Sequence, residues 1–338
     1  MNNRLAKWII WLLILGGVLF VISIFSLCVG SAGIPLKKII YLIFKGGDTT
    51  GQNIIFNIRL PRILLGLAVG GALSISGVIL QGMFRNPLVE PYTLGISGGA
   101  ALGVSLCIVT GLNRLYGILF LPVWGFLGAV AVIILIYILS MRRGILKIHG
   151  VLLTGVMISF ISSSLIMFFM SVSRLEDLHG IVFWIMGSLE EPNWFIIKFT
   201  MIVSVLGLII SYLFCFDLNA FLLGEEEALH LGVNTERTKK LLFILASLLT
   251  GLSVSVAGVI GFIGLVVPHF VRVFIGNDHR ILLLGSYLCG AAFLILCDTL
   301  ARTIIAPMEL PVGVITGIIG GSLFVYALTK KQMVIGKD

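Results

Sequence analysis

The sequence predicts an all-α protein that crosses a lipid bilayer many times. Three observations carry that prediction. Apolar residues make up 59% of the 338-residue chain and charged residues only 11%; a typical soluble domain carries roughly 25% charged residues, so a water-facing surface could not be covered. The apolar residues gather into nine uncharged runs, each about the length that spans a hydrocarbon core as a helix, or longer. Basic residues sit at both termini and in alternate loops, as cytoplasmic segments do.

The first run, Trp8–Val29, follows MNNRLAK. It is longer than the roughly 7–15 apolar residues of a secretion signal, so it reads as a retained span. The second, Ile63–Phe84, follows RLPR at 59–62 and leaves through a loop containing Pro87 and Pro91. Its small residues Gly70, Gly71, Ala72, Ser74, Ser76 and Gly77 allow neighbouring helices to approach closely. Thr93–Asn113, Leu115–Met141, Ile148–Ser173 and Phe199–Phe216 follow. Leu241–Val271 is too long for one crossing at about 1.5 Å per residue, and it holds Gly258, Gly261, Gly264 and Pro268. It is therefore divided into a span ending near Gly258 and a short second helix starting near Pro268, a break that neighbouring helices can cover. Ile281–Cys297 and Leu310–Thr329 complete the series.

Parity supports the division. Arg4 and Lys7 place the N-terminus inside, and Lys330, Lys331 and Lys337 place the C-terminus inside, so the crossings must be even in number, and ten fits. Arg85, Arg142, Arg143, Lys147, Arg237, Lys239, Lys240, Arg272 and Arg280 also fall inside, giving 14 of the 23 Lys and Arg. The nine outside need a reason of their own. SISGVI at 74–79 and SVAGVI at 255–260 form a faint echo, either an inverted repeat or a chance match in a chain rich in these residues. The whole chain, 1–338, reads as a single transmembrane domain, with an outer loop near 171–194 and an inner loop near 217–240.

Several chemistries are excluded. There is no G-x-x-x-x-G-K-[ST], so the chain does not cradle ATP phosphates in the Walker manner, and H-E-x-x-H and G-x-S-x-G are missing too. His149, His179, His230, His269 and His279 are scattered, and no metal site or cofactor is expected. The net charge of +8 comes without a basic patch interleaved with aromatics, so nucleic acid is not a partner. Cys28, Cys107, Cys215, Cys289 and Cys297 lie in or beside apolar runs without a C-x-x-C and read as buried thiols. Intramembrane acids, which an ion-driven carrier needs, are nearly missing. Asp298 is the exception, four residues before Arg302 and able to pair with it on one helix face.

Two clusters remain. LGEEEALHLGVNTERTK at 223–239 suits a short surface helix ended by Gly232, either a solvated loop or a docking helix for a soluble motor. Arg59, Arg62 and Arg302 sit on the side where positive charge is least expected, either as membrane anchors or as a docking surface for carboxylates.

RLPR at 59–62, LQGMFRNPLVEPYTLGIS ending at Ser97, LGEEEALHLGV at 223–233, GVIGFIGLVVPHFVR at 258–272, NDHR at 277–280, DTLAR at 298–302 and ELPVGVITGIIGG at 309–321 occur in an order that resembles the FecCD-type permease family. These are membrane subunits of type II ABC importers for iron–siderophore complexes, haem and cobalamin. The resemblance implies the type II ABC importer permease fold, with ten transmembrane helices and both termini cytoplasmic. It also implies a homodimer (or a heterodimer with a paralogue), two cytoplasmic ATPase subunits and an extracytoplasmic substrate-binding protein. Carried onto this chain, it makes Arg59, Arg62 and Arg302 the binding-protein docking residues. Leu223, Gly224, Glu225, Glu226, Glu227, Leu231 and Gly232 become the ATPase-coupling segment, and Lys147, Ile148 and His149 an inner gate. The expected cargo is an iron–siderophore complex, with haem, cobalamin or an oxyanion behind it. An ion-gradient-driven secondary transporter is the alternative. Many siderophore members carry Gly-x-Pro-Phe-Phe after the ELP motif; Gly320, Gly321, Ser322, Leu323 and Phe324 stand here instead, which leaves the last span less kinked and the cargo less defined.

Overall fold

A computed structural model describes residues 2–30, 33–45, 49–117, 119–142 and 145–335. Nearly all of it is helix. In chain order the elements are α1 (Asn2–Cys28), α2 (Leu36–Lys45), α3 (Thr49–Asn53) and a π-helical turn, Ile54–Arg59, that runs into α4 (Leu60–Phe84). A 3-10 turn (Pro91–Leu94) leads into α5 (Ile96–Val109), then α6 (Leu112–Tyr116) and α7 (Phe120–Ser140). A hairpin of β1 (Met141–Arg142) and β2 (Ile145–Leu146) pairs Met141 with Leu146 and Arg142 with Ile145. After it come α8 (Ile148–Val172), α9 (Leu175–Met186), α10 (Trp194–Leu213), α11 (Cys215–Leu223), α12 (Glu225–His230), α13 (Thr235–Ala257), α14 (Ile263–Ile275), α15 (His279–Ala301) and α16 (Val312–Ile335). Among the described residues, seven helical segments are long and apolar enough to cross a bilayer, and three shorter apolar helices, Ile96–Val109, Ile263–Ile275 and Val312–Ala327, join them. Arg143 and Lys337, counted on the inner side from sequence, lie outside the described residues.

α4 is the central post. It is buried along almost its whole length and is surrounded by α10, α13, α14 and α15. Its small residues make that possible. A Cβ added at Gly70 would lie 2.4 Å from the Gly290 carbonyl oxygen of α15, and one at Gly77 would lie 1.9 Å from the Gly264 carbonyl oxygen of α14. Hydroxyls tie the helices further: Ser204 Oγ donates to Ala68 O at 2.7 Å, and Ser76 Oγ to Ala246 O at 3.1 Å. The same device joins α5 to α7, where Gly99 and Gly128 face each other. At the perimeter, Leu13, Val21, Ile138, Phe160, Phe195 and Leu213 are exposed apolar residues, as suits a chain set among lipid tails rather than water.

The long run 241–271 is broken at Gly258, as the sequence indicates, but the second helix starts at Ile263 rather than near Pro268. Pro268 lies inside α14. A proline there has no N–H for the carbonyl four residues earlier, Gly264. Gln81 Nε2 of α4 donates to that carbonyl at 3.1 Å instead, so the helix continues. The run 93–113 gives only the 14-residue α5, because the chain first folds through Pro91–Leu94. The loop 171–194 contains α9, and 217–240 contains α11 and α12. The SISGVI and SVAGVI segments differ locally: the first lies wholly inside α4, while the second runs off the end of α13 into the break.

Candidate functional site

Chemistry concentrates at the two ends of the bundle. At the end where α4 begins, the π-helical turn carries Arg59, α4 carries Arg62, and α15 delivers Asp298 and Arg302 one turn apart. Arg302 Nε lies 2.9 Å from Asp298 Oδ2, the helix-face pair that the spacing predicts. Arg302 Nη2 also donates to Ser26 Oγ of α1 at 2.8 Å. Arg59 Nη1 donates to the Leu27 carbonyl at 2.5 Å. Arg62 meets three carboxylates: Glu309 at 2.7 Å, Glu190 at 3.5 Å and Asp298 at 3.8 Å.

The three arginines do not stand free at the surface. All three are buried. The Arg62 side chain is 5% exposed, while Glu190 is 74% and Glu309 41% exposed. A guanidinium taken out of water must be paired, and here the chain's own acids pair it. The face shown to solvent is therefore carboxylate, with the arginines one layer behind. Arg62, Glu190, Asp298, Glu309 and Pro311 line a cavity of about 280 Å³ at this end.

At the opposite end, where α4 finishes, Gly82 packs against Leu218 of α11 and His279 of α15. α11 ends at Leu223, and Gly224, at φ +138°, turns the chain into α12. Glu225, Glu226 and Glu227 occupy the first turn of α12, where carboxylates favour the positive end of the helix dipole. Gly232 takes φ +87°; its N–H bonds Leu229 O at 2.9 Å and the Val233 N–H bonds Ala228 O at 3.0 Å. That is the paired cap for which a left-handed glycine is suited. The helix ended by Gly232 is thus present. Leu223, Glu226, Glu227 and Leu231 are exposed, whereas Gly224 is buried.

This finger is braced. Glu225 pairs with the buried Lys239 of α13, which also reaches Glu236 at 3.5 Å. Asn219 of α11 donates to Asp278 at 3.0 Å and accepts the His279 backbone N–H at 2.8 Å. Asp278 caps α15 and pairs with Arg280 at 2.6 Å. Lys147 is exposed at the same end of α8, after the hairpin, and Ile148 and His149 open that helix.

Two features escaped the sequence reading. Arg272 of α14 donates to Gln81 Oε1 of α4, completing the bridge at Pro268. Glu90, in the loop that follows α4, is not at the end of the bundle. Arg85, Pro87 and Leu88 are exposed there, but Glu90 accepts the Phe262 backbone N–H at 2.7 Å and the Tyr92 hydroxyl accepts that of Ile260 at 3.0 Å. The only sequence signal was an acid directly before a proline beside an apolar run.

The FecCD transport family model matches residues 18–330. The chain is 40% identical over 324 residues to the hemin transport system permease protein HmuU of Yersinia pestis, covering 95% of this chain and 96% of that one. It is 39% identical over 288 residues to the cobalamin import system permease protein BtuC of Halobacterium salinarum, covering 85% and 76%. Among solved structures, a metal-chelate type ABC transporter in an inward-facing conformation superposes with a TM-score of 0.84 at 33% identity, covering 94% of this chain and 98% of that one. With a central small-residue helix, charged clusters at both ends and these matches along nearly its whole length, the chain belongs to the FecCD transport family of ABC permeases, multi-pass proteins of the cell membrane.

Proposed function

We propose that this chain is the membrane-spanning subunit of an ATP-driven importer that passes an iron–siderophore complex from a binding protein to the cytoplasm. The observation that carries the reading is α12, an exposed acidic finger braced on α13 and α15 in a chain without a nucleotide-binding motif. Such a finger is what an external motor needs in order to move the bundle. Seven long spans plus three shorter apolar helices among the described residues support ten segments, and the basic residues at both ends of the chain support cytoplasmic termini. In this reading the assembly is a homodimer, or a heterodimer with a paralogue, with two ATPase subunits beneath it.

The coupling segment is Leu223, Gly224, Glu225, Glu226, Glu227, Leu231 and Gly232, and the inner gate lies at Lys147, Ile148 and His149. Arg59, Arg62 and Arg302 form the docking layer for the binding protein. Because Glu190 and Glu309 already occupy Arg62, an incoming carboxylate exchanges with them rather than meeting a bare guanidinium. A relative named for hemin and a structure of metal-chelate type favour an iron chelate.

The test is reconstitution in proteoliposomes with the ATPase and binding protein encoded beside it. Uptake of ⁵⁵Fe-siderophore, haemin and cobalamin is then compared. Vanadate-sensitive ferric-siderophore uptake that ignores ionophores is expected. Uptake abolished by an ionophore and indifferent to vanadate would replace this reading with a secondary transporter. Transport of haemin or cobalamin alone would change the cargo.

A further inference from the structure

The break between α13 and α14 leaves backbone N–H groups without helical partners in the middle of the bundle. Its depth follows from α14: Gly264 packs on the Leu73 carbonyl and on Gly77, and Leu73 lies about 20 Å from the start of α4 and about 16 Å from its end. An unsatisfied N–H at that depth is costly. The loop between α4 and α5 supplies the acceptors, Glu90 for Phe262 and Tyr92 for Ile260. Pro91, between them, rests on Gly264, where an added Cβ would come within 2.7 Å of the proline ring.

Two details argue that this is more than a cap. Phe262 has φ +69°, a left-handed conformation at a bulky residue, which persists only where its surroundings over-determine it. Moreover, Phe262 lies against α16: a Cβ at Gly320 would be 2.5 Å from Phe262 Cβ, and one at Gly321 would be 3.6 Å from the tip of the ring. One loop thus reaches from exposed Arg85, Pro87 and Leu88 at the α12 end, through Glu90, to a strained residue seated on the last apolar helix.

We propose that Glu90 is a positioning residue for transport: by accepting the Phe262 N–H it holds the α13–α14 break in the form that seats Phe262 on α16, so that motion at the α12 end reaches α16. A side-chain oxygen of Glu90 accepts the N–H whether or not the carboxyl is protonated. The inference rests on the transport reading above.

The experiment uses the full complex with its ATPase subunit. A nitroxide is placed at position 329 of α16 in each copy through an encoded unnatural side chain, leaving the five native cysteines untouched. The inter-copy distance is measured without nucleotide and with ATP plus vanadate. The wild-type distance shifts. Glu90→Gln, which keeps an acceptor oxygen, retains at least half of that shift. Glu90→Ala loses it while still co-purifying with the ATPase subunit. Phe262→Ala, which removes the seated ring and leaves the backbone bond, loses it as well and decides the matter if Glu90→Ala does not assemble. A full shift in Glu90→Ala or in Phe262→Ala overturns the proposal, as does a Glu90→Gln variant that loses the shift or fails to assemble. No shift in the wild-type complex also overturns the proposal, because motion then does not reach α16; the transport reading falls only if vanadate-sensitive uptake is missing, so the two failures are distinguishable.

Discussion

Arg62 sits among Glu190, Asp298 and Glu309, and its partners differ in burial: Asp298 is deep, Glu309 half-exposed. Removing the arginine leaves a buried carboxylate with Arg302 alone, whereas neutralising Glu309 leaves Arg62 with Asp298. Arg62→Ala should therefore cost about 3 kcal/mol and Glu309→Gln about 1 kcal/mol or less. Thermal unfolding in detergent orders the two, and equal losses would show that burial of the partner does not set the cost. Asp278 offers a pH test. The Arg280 side chain, helped by Asn219, holds its carboxyl down to about 2, below the value near 3.9 of an unfolded chain. A depressed pKa contributes stability that is complete above the unfolded value and is lost as pH falls toward the folded one. The unfolding midpoints of wild type and Asp278→Asn should thus converge between pH 5 and about pH 2; a constant gap would assign the effect to the helix cap alone.

The helices of this bundle are held by close approach more than by side-chain volume. Gly77 meets the Gly264 carbonyl of α14, while Gly16 of α1 has nothing within 4 Å of an added Cβ. Alanine is the better helix former at both positions by about 1 kcal/mol. Gly16→Ala should therefore be neutral or stabilising, and Gly77→Ala should cost about 3 kcal/mol as α4 and α14 are forced apart. Folded yield and thermal midpoint compare them, and equal behaviour would mean that α14 shifts without strain. The Pro268 bridge shows the same economy, since one Gln81 side chain satisfies the Gly264 carbonyl and accepts from Arg272.

Across the whole molecule, α12 is tied to two long helices, through Glu225 to Lys239 of α13 and through α11 and Asn219 to the start of α15. Both helices pack on α4, so a push on the finger is delivered to the centre of the bundle. Glu226 is exposed and has no part in this bracing among the described residues. Glu226→Arg should leave the fold intact and reduce co-purification of the ATPase subunit at least tenfold; normal recovery would remove α12 as its docking element. Much of this design is legible in the sequence, because it rests on local rules. Uncharged runs of sufficient length must be helices in lipid, Gly258 must break a run too long to cross once, and an acidic turn closed by Gly232 must be a short capped helix. Asp298 and Arg302 pair because four residues bring them to one face. What only the tertiary structure decided involves partners distant in sequence. Nothing near Arg62 in the chain reveals that Glu190 and Glu309 cover it. Pro268 looks like a helix start until Gln81, 187 positions earlier, is seen to meet the carbonyl it frees. Glu90 is only one residue of the loop after the second run until Phe262 arrives from the other half of the chain. A buried polar group must find a partner somewhere, and local pattern says that it must without saying where; the packing of helices far apart in sequence supplies the place.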